Sequence, residues 1–434
     1  MSHTGLGFKL MSPLAFTVVF LAALLTSLVL RAWLAWRQLR HVARHRHQVP
    51  SDFADRVALS AHQRAADYTA ARVRLGLLET ASSATVLIAF TLLGGLQWLV
   101  EISALLWPEA SFFRGLALVV TTLVLGSLPD LGFSWYRQFR LEESFGFNRM
   151  TPRLFLADLV KSTIVSALLG IPLLAAVLGL MQAAGPLWWL WVWALWMGFN
   201  VLVMLVYPVF IAPWFNRFDP LPQGRARERI ETLLGRTGFS ASGLYVMDGS
   251  RRSAHGNAFF TGFGRARRIV FFDTLLSRLD VDELEAVLAH ELGHFKRGHL
   301  RKRVLMMAAL SLMLLALLGW LAMQSWFFVG LGLMPDADVI AASALVLFIL
   351  VVPVFLFPLQ PLARWLSRRD EFEADAFAVE QASAPALARA LVKLYEDNAA
   401  TLTPDPVHSA FHDSHPPAPQ RIARLLGHRA QITA

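Results

Sequence analysis

The sequence predicts a mainly α-helical, polytopic membrane protein of about seven spans, carrying a smaller α+β portion outside the bilayer. Three observations predict it. Of the 434 residues, 56% are hydrophobic and only 16% charged, and the mean hydropathy is +0.49, too apolar a balance for an ordinary soluble domain. Seven apolar runs approach the ~20 residues that a spanning helix needs. Lysine and arginine fall in alternate connecting segments.

The runs cover residues 13–30, 80–100, 115–136, 162–181, 187–213, 304–322 and 339–363. The third is interrupted by Pro129 and Asp130. The first follows Lys9 like a signal peptide, but at about 18 residues it exceeds an h-region of roughly 7–15, and no small-residue cleavage site follows. It is expected to stay as a span. The intramembrane polar residues Asp130 and Asn200 are expected to line a wet interior rather than lipid.

Orientation follows from the basic residues. Nine arginines, from Arg31 to Arg74, lie between the first two runs, whereas segments 101–113, 182–186 and 325–338 hold no lysine or arginine. Basic residues return at 137–153, 217–303 and from 364 onward. The positive-inside rule then puts the protein in a cell membrane with its N-terminus outside and its C-terminus cytoplasmic. This distribution accounts for the net charge of +9 without a nucleic-acid partner, with anionic membrane lipids as a modest further contact.

Four regions are expected. Residues 1–213 form an N-terminal membrane region of five spans, 214–303 a polar segment, 304–363 two further spans, and 364–434 a polar C-terminal segment. In the first polar segment, Ile230, Leu233 and Leu234 recur at helical spacing before Gly238, predicting a helix over 225–238. Residues 243–249 read as a short strand. The runs 257–264 and 267–276, joined at Gly264 to Ala266, read as a hairpin. Asp280 with Glu283 three residues later forms a capping box that starts the next helix.

That helix carries "VLAHELGHFKRGHL", residues 287–300. Residues four apart share a helix face, so His290 and His294 present two imidazoles to one point, with Glu291 one position round. This is the HExxH arrangement of a zincin: two zinc ligands and a glutamate that handles the proton of an activated water. The chain has no cysteine, so histidine and carboxylate must supply every ligand to the Zn2+, and cobalt or manganese would accept the same set. His299, about 140° further round, is expected off the ion, near the membrane interface with Lys296 and Arg297.

A catalytic site needs a third protein ligand and an open position. The candidate is Glu371 in "SRRDEFEADAFA", residues 367–378, with Asp375 four residues on to fix the tautomer of a ligand histidine and Glu373 pointing elsewhere. Without an HExxH the same stretch would read as a solvated acidic face.

"HELGH", "SRRDEFEADAFA" and "SHPPAPQRI" (414–422), with "EESFGFNRMT" (142–151), "YPVFIAPWFNRFDPL" (207–221) and "HGNAFFTGFG" (255–264), resemble the CAAX prenyl protease type 1 family across nearly the whole chain. The resemblance implies an integral-membrane zinc metalloendopeptidase that cleaves near the C-terminus of isoprenylated proteins, its seven spans enclosing a chamber. It implies His290, His294 and Glu371 as ligands of one Zn2+, Glu291 as general base and Asp375 as the partner of a ligand histidine. It also implies Asn257 on an edge strand that pairs with substrate backbone, and His415 stabilising the oxyanion or orienting substrate, with Arg421 close by on the substrate. Read by itself, His415 is equally a turn residue before two prolines.

The rich Arg, Ala and Leu usage and the lack of a C-terminal retention signal suggest a bacterial setting, where prenylated proteins need not exist. A second reading therefore keeps the site in a protease that clears damaged membrane proteins. A reading of another class makes the chain a scaffold or transporter with a structural metal, but structural zinc sites take four protein ligands and usually use cysteine.

Overall fold

The computed structural model describes residues 11–109, 111–261 and 267–432. Among them, seven helical runs are long and apolar enough to cross a membrane, as expected. They are α1 (Pro13–His45), α2 (Leu59–Phe90), α4 (Ser111–Tyr136), α5 (Pro152–Ala183), α6 (Trp188–Val206) with its π-helical continuation, α11 (His299–Leu321) and α13 (Ile340–Leu356). α3 (Gly95–Leu106) is a short apolar helix between the second and third. Large apolar side chains such as Leu14, Trp191, Leu205 and Leu305 point outward, an apolar surface that suits lipid.

The second span departs from its expected place. The run at 80–100 is broken after Phe90, where Gly94 takes φ +79 and a Cβ at Gly95 would stand 2.6 Å from the Ala89 carbonyl oxygen. Only glycine fits both demands of this turn. The helix extends backward to Leu59 instead, and the rest of the apolar run becomes α3.

Two cores form. In the apolar half, Phe16 and Phe20 of α1 pack with Leu118 of α4 and Val346 of α13. In the polar half, Ile230 and Leu233 of α8 (Arg225–Arg236) pack with Phe271, Leu288 and Leu391. α8 closes at Gly238, φ +59, as expected. Ion pairs tie the halves together: Arg252 to Asp158 of α5 at 2.8 and 3.1 Å, and Arg37 of α1 to Asp405 at 2.9 Å.

A four-stranded sheet lies in the polar half in the order β1-β2-β4-β3. Its strands are β1 (Phe218–Pro220), β2 (Gly243–Met247), β3 (Ala258–Thr261) and β4 (Arg268–Phe272). β3 and β4 pair antiparallel as the expected hairpin; its turn at Gly264 to Ala266 lies outside the described residues. β1 and the parallel pairing of β2 with β4 were not expected, and β3 is left as an edge.

α10 (Val281–Lys296) starts as expected: Asp280 accepts from the Glu283 amide at 2.9 Å while Glu283 accepts from the Asp280 amide at 3.1 Å. α13 runs through one 3₁₀ turn into α14 (Gln360–Gln381), 42 residues in all. At 1.5 Å per residue that is about 60 Å, twice a hydrocarbon core. The far end of α14 therefore reaches the polar half, where α15 (Ala384–Asp397), α16 (Pro406–His412) and α17 (Ala418–Ile432) complete the chain.

A chamber is present as expected, a cavity of about 1530 Å³, but four of the seven spans line it, α1, α2, α4 and α13. Asp130 lines it, as expected. Asn200 does not; its amide donates back to the Trp196 carbonyl at 2.7 Å, which satisfies it within its own helix.

Candidate active site

The site forms where α10 packs on α14. Helical spacing brings the Nε2 atoms of His290 and His294 within 3.2 Å of each other. Glu371 reaches in from α14, Oε2 at 3.4 Å from His290 Nε2 and Oε1 at 3.3 Å from His294 Nε2. Donors about 2.0–2.1 Å from one tetrahedral ion lie about 3.3 Å apart. The two imidazole nitrogens stand at about that spacing, each faces a different oxygen of Glu371 at a similar distance, and one ligand atom from each of the three residues lies within 4.8 Å of the others. Glu371 is 2% exposed and its Oε2 makes no hydrogen bond; the Arg421 guanidinium at 3.6 Å compensates its charge without bonding to it, which leaves a buried lone pair for a further cation to meet. These residues fit a metal ion.

Asp375, one turn along α14, stands with Oδ1 2.9 Å from His290 Nδ1. Arg421 of α17 grips Asp375 in two places, Nη2 to Oδ1 at 2.6 Å and Nε to Oδ2 at 2.9 Å. Its Nη1 lies 3.6 Å from Glu371 Oε2. Arg421, expected beside the substrate, is only 5% exposed. Its guanidinium is committed to the two carboxylates of the site.

Burial pushes the His290 imidazolium toward the neutral form, but hydrogen bonds to Asp375 and Glu371 outweigh it and raise its pKa to about 9. Burial also pushes the Glu291 carboxyl above its ordinary value, against the opposing pull of His290 and His294. A carboxylate so shifted holds a proton more readily, as a general base requires.

His415 places Nε2 3.4 Å from Glu371 Oε1, is 61% exposed at its side chain, and lines the chamber. The cavity therefore opens onto the cluster of His290, His294 and Glu371. Asn257 directly precedes the edge strand β3; its carbonyl accepts from the Phe272 amide at 2.9 Å and its side chain from the Ala258 amide at 2.9 Å.

Glu373 points away from the His290, His294 and Glu371 cluster, as expected, and His299 stays outside that cluster, but His299 is buried inside the protein rather than set at a membrane interface. His299 is 1% exposed, with Nδ1 2.9 Å from His294 Nδ1 and Nε2 3.2 Å from Glu373 Oε2. A rotation of about 140° holds for one continuous helix, but α10 ends at Lys296, Gly298 takes φ +70, and α11 begins at His299. Sequence reasoning also passed over His255, which bonds Asn398 at 2.8 Å and lies 3.6 Å from Glu142, itself held by Tyr68 at 2.6 Å. All four line the chamber. The signal available was their place in the "HGNAFFTGFG" and "EESFGFNRMT" stretches.

Two family models match, the CAAX prenyl protease N-terminal region of five membrane helices over residues 38–217 and peptidase family M48 over residues 220–429. The chain is 36% identical to a CAAX prenyl protease 1 homolog of Arabidopsis thaliana, over 74% of this chain and 75% of that one. The chain belongs to the CAAX prenyl protease 1 family. It is 34% identical to CAAX prenyl protease 1 of Saccharomyces cerevisiae, over 69% of each chain. Its fold superposes on that of S. mikatae Ste24p with a TM-score of 0.88 at 26% identity, covering 94% of this chain and 98% of that one. As a member of this family the protein is a multi-pass membrane metalloendopeptidase, which sets aside the scaffold and transporter readings.

Proposed function

We propose that this protein cleaves prenylated CaaX-type substrates with one Zn2+ held by His290 Nε2, His294 Nε2 and Glu371. The observation that carries the metal assignment is the convergence of one ligand atom from each of His290, His294 and Glu371 within 4.8 Å of one another, with the two imidazole Nε2 atoms 3.2 Å apart. Zinc there supplies a Lewis acid for the scissile carbonyl and lowers the pKa of the attacking water.

The chain's own residues do the rest. Glu291 takes the proton of the attacking water and delivers it to the leaving amine. His415, on the chamber side, donates to the developing oxyanion. Asp375 accepts from His290 Nδ1 and so holds its Nε2 lone pair toward the metal, while Arg421 holds Asp375 and offsets the carboxylate charge. Asn257 directly precedes the edge strand β3, whose free backbone groups pair with an extended substrate. The alternating arginines support an orientation in a cell membrane with the N-terminus outside and the site cytoplasmic.

The substrate class rests on the names of the relatives and on a chamber lined by Leu28, Leu87 and Leu123 at its apolar surfaces and by His415 at the site. The test is hydrolysis of a farnesylated CaaX peptide by purified, detergent-solubilised protein beside Glu291→Gln and chelator-treated samples. Cleavage lost in both controls is expected. A wild-type protein that holds one zinc yet leaves the peptide intact would overturn the substrate assignment and point to unmodified membrane proteins.

A further inference from the structure

The two ligand histidines are supported differently. Their Nε2 atoms converge, so each Nδ1 faces away from the metal position. His290 Nδ1 meets the carboxylate of Asp375 at 2.9 Å. His294 Nδ1 meets a third imidazole, His299 Nδ1, also at 2.9 Å. We propose that His299 is the positioning residue for His294, accepting its Nδ1 proton and donating its own Nε2 proton to Glu373. This rests on the zinc reading above.

The tautomers follow in sequence. A neutral imidazole has one donor and one acceptor nitrogen. With the Nε2 lone pair of His294 given to a metal, its proton sits on Nδ1. Among the described residues the nitrogen that meets it is His299 Nδ1, which must then accept. The proton of His299 therefore sits on Nε2, 3.2 Å from Glu373 Oε2. Glu373 is held in turn by Lys302 at 3.3 Å and Arg369 at 3.2 Å. Every proton in the chain has a partner, and a carboxylate sits one ring further from His294 than Asp375 does from His290.

His299, Asp370 and Glu373 also lie close enough to share an ion of their own. The charges oppose that use. Lys302 and Arg369 sit on Glu373, Lys302 at 3.9 Å and Arg303 at 4.0 Å from Asp370, and the His299 nitrogen on the far side is engaged by His294. The cluster is compensated without a second metal.

The experiment measures zinc affinity by chelator competition, with the thermal midpoint of each metal-free variant as a check on folding. His299→Phe removes the acceptor and is expected to weaken zinc binding about 10- to 100-fold. His299→Asn puts a carbonyl oxygen near the position of Nδ1 and is expected to recover most of that loss. Equal weakening in both would make His299 a packing residue and overturn the proposal. Glu373→Ala leaves His299 in place and is expected to weaken zinc in the same direction by a smaller factor; unchanged affinity there overturns the proposal even if both His299 variants fail to fold. Two zinc ions per wild-type chain, falling to one in Glu373→Ala, would overturn it in favour of a second metal site. His294→Ala separates the underlying reading: full zinc binding in that variant would mean that the ligand assignment itself has failed.

Discussion

Gly293 of α10 lies against Ala374 of α14 with no room between them: a Cβ on Gly293 would stand 2.9 Å from both the Cα and the carbonyl oxygen of Ala374, and 3.2 Å from the Phe377 Cβ. The obstructing atoms are mostly backbone, which cannot swing aside. The two helices that carry the histidines and Glu371 therefore approach as closely as their main chains allow. The triangle of His290, His294 and Glu371 depends on that approach, since Glu371 spans the gap from the opposite helix.

Gly293→Ala should consequently act on stability and metal together. Overpacking of this kind costs about 1–3 kcal/mol, and the separation of α10 from α14 moves Glu371 off the triangle. A lowered thermal midpoint with weakened zinc binding is expected. Gly427→Ala, in α17 with nothing within 4 Å, is the control and should be neutral or stabilising by about 0.4–1 kcal/mol. Equal behaviour of the two variants would show that the close approach is unimportant.

Glu291→Gln keeps the side-chain volume and leaves His290, His294 and Glu371 untouched. Zinc content should stay at the wild-type level, while turnover of the peptide falls by about 10²–10⁴-fold. Turnover within a few fold of wild type would remove Glu291 from the proton-transfer role.

Asp375→Asn should cost more than its conservative shape suggests. The amide oxygen can still accept from His290, but Arg421, 5% exposed, loses the carboxylate it grips with two nitrogens. Breaking a buried ion pair on one side costs about 3–5 kcal/mol. Denaturation of the metal-free variant measures this, and a stability equal to wild type would mean that Glu371 alone balances the guanidinium.

Acidity should move metal affinity and metal-free stability in opposite directions. His290 rises from 6.5 to about 9 in the metal-free fold, so below that value zinc has to displace a proton. Apparent zinc affinity should climb about tenfold per pH unit and level off near pH 9. A group raised in the folded state stabilises it fully below its unfolded pKa and ceases to do so above its folded one. The His290 contribution to the metal-free fold is therefore present below pH 6.5 and lost on the way to pH 9. Zinc affinity flat from pH 6.5 to 9 would show that His290 is already the neutral imidazole in the metal-free protein over that range.

Much of this was legible before any coordinates. The span count, the capping box at Asp280 and Glu283, and the shared face of His290 and His294 each rest on interactions within one or two turns of chain, or on hydropathy summed over a run. Local sterics and hydrogen bonds decide such features wherever the segment lies. Even there the sequence misplaced what a single residue interrupts: Gly94 ends a span inside an apolar run, and Gly298 turns His299 back onto His294. Tertiary structure alone decided the rest. Arg421 meets Asp375 across 46 positions and His299 meets Glu373 across 74, the chamber forms between four separate helices, and β2 pairs with β4 in parallel. Contacts so distant along the chain depend on how whole helices pack, and helix packing here turns on one glycine that lets α10 and α14 touch.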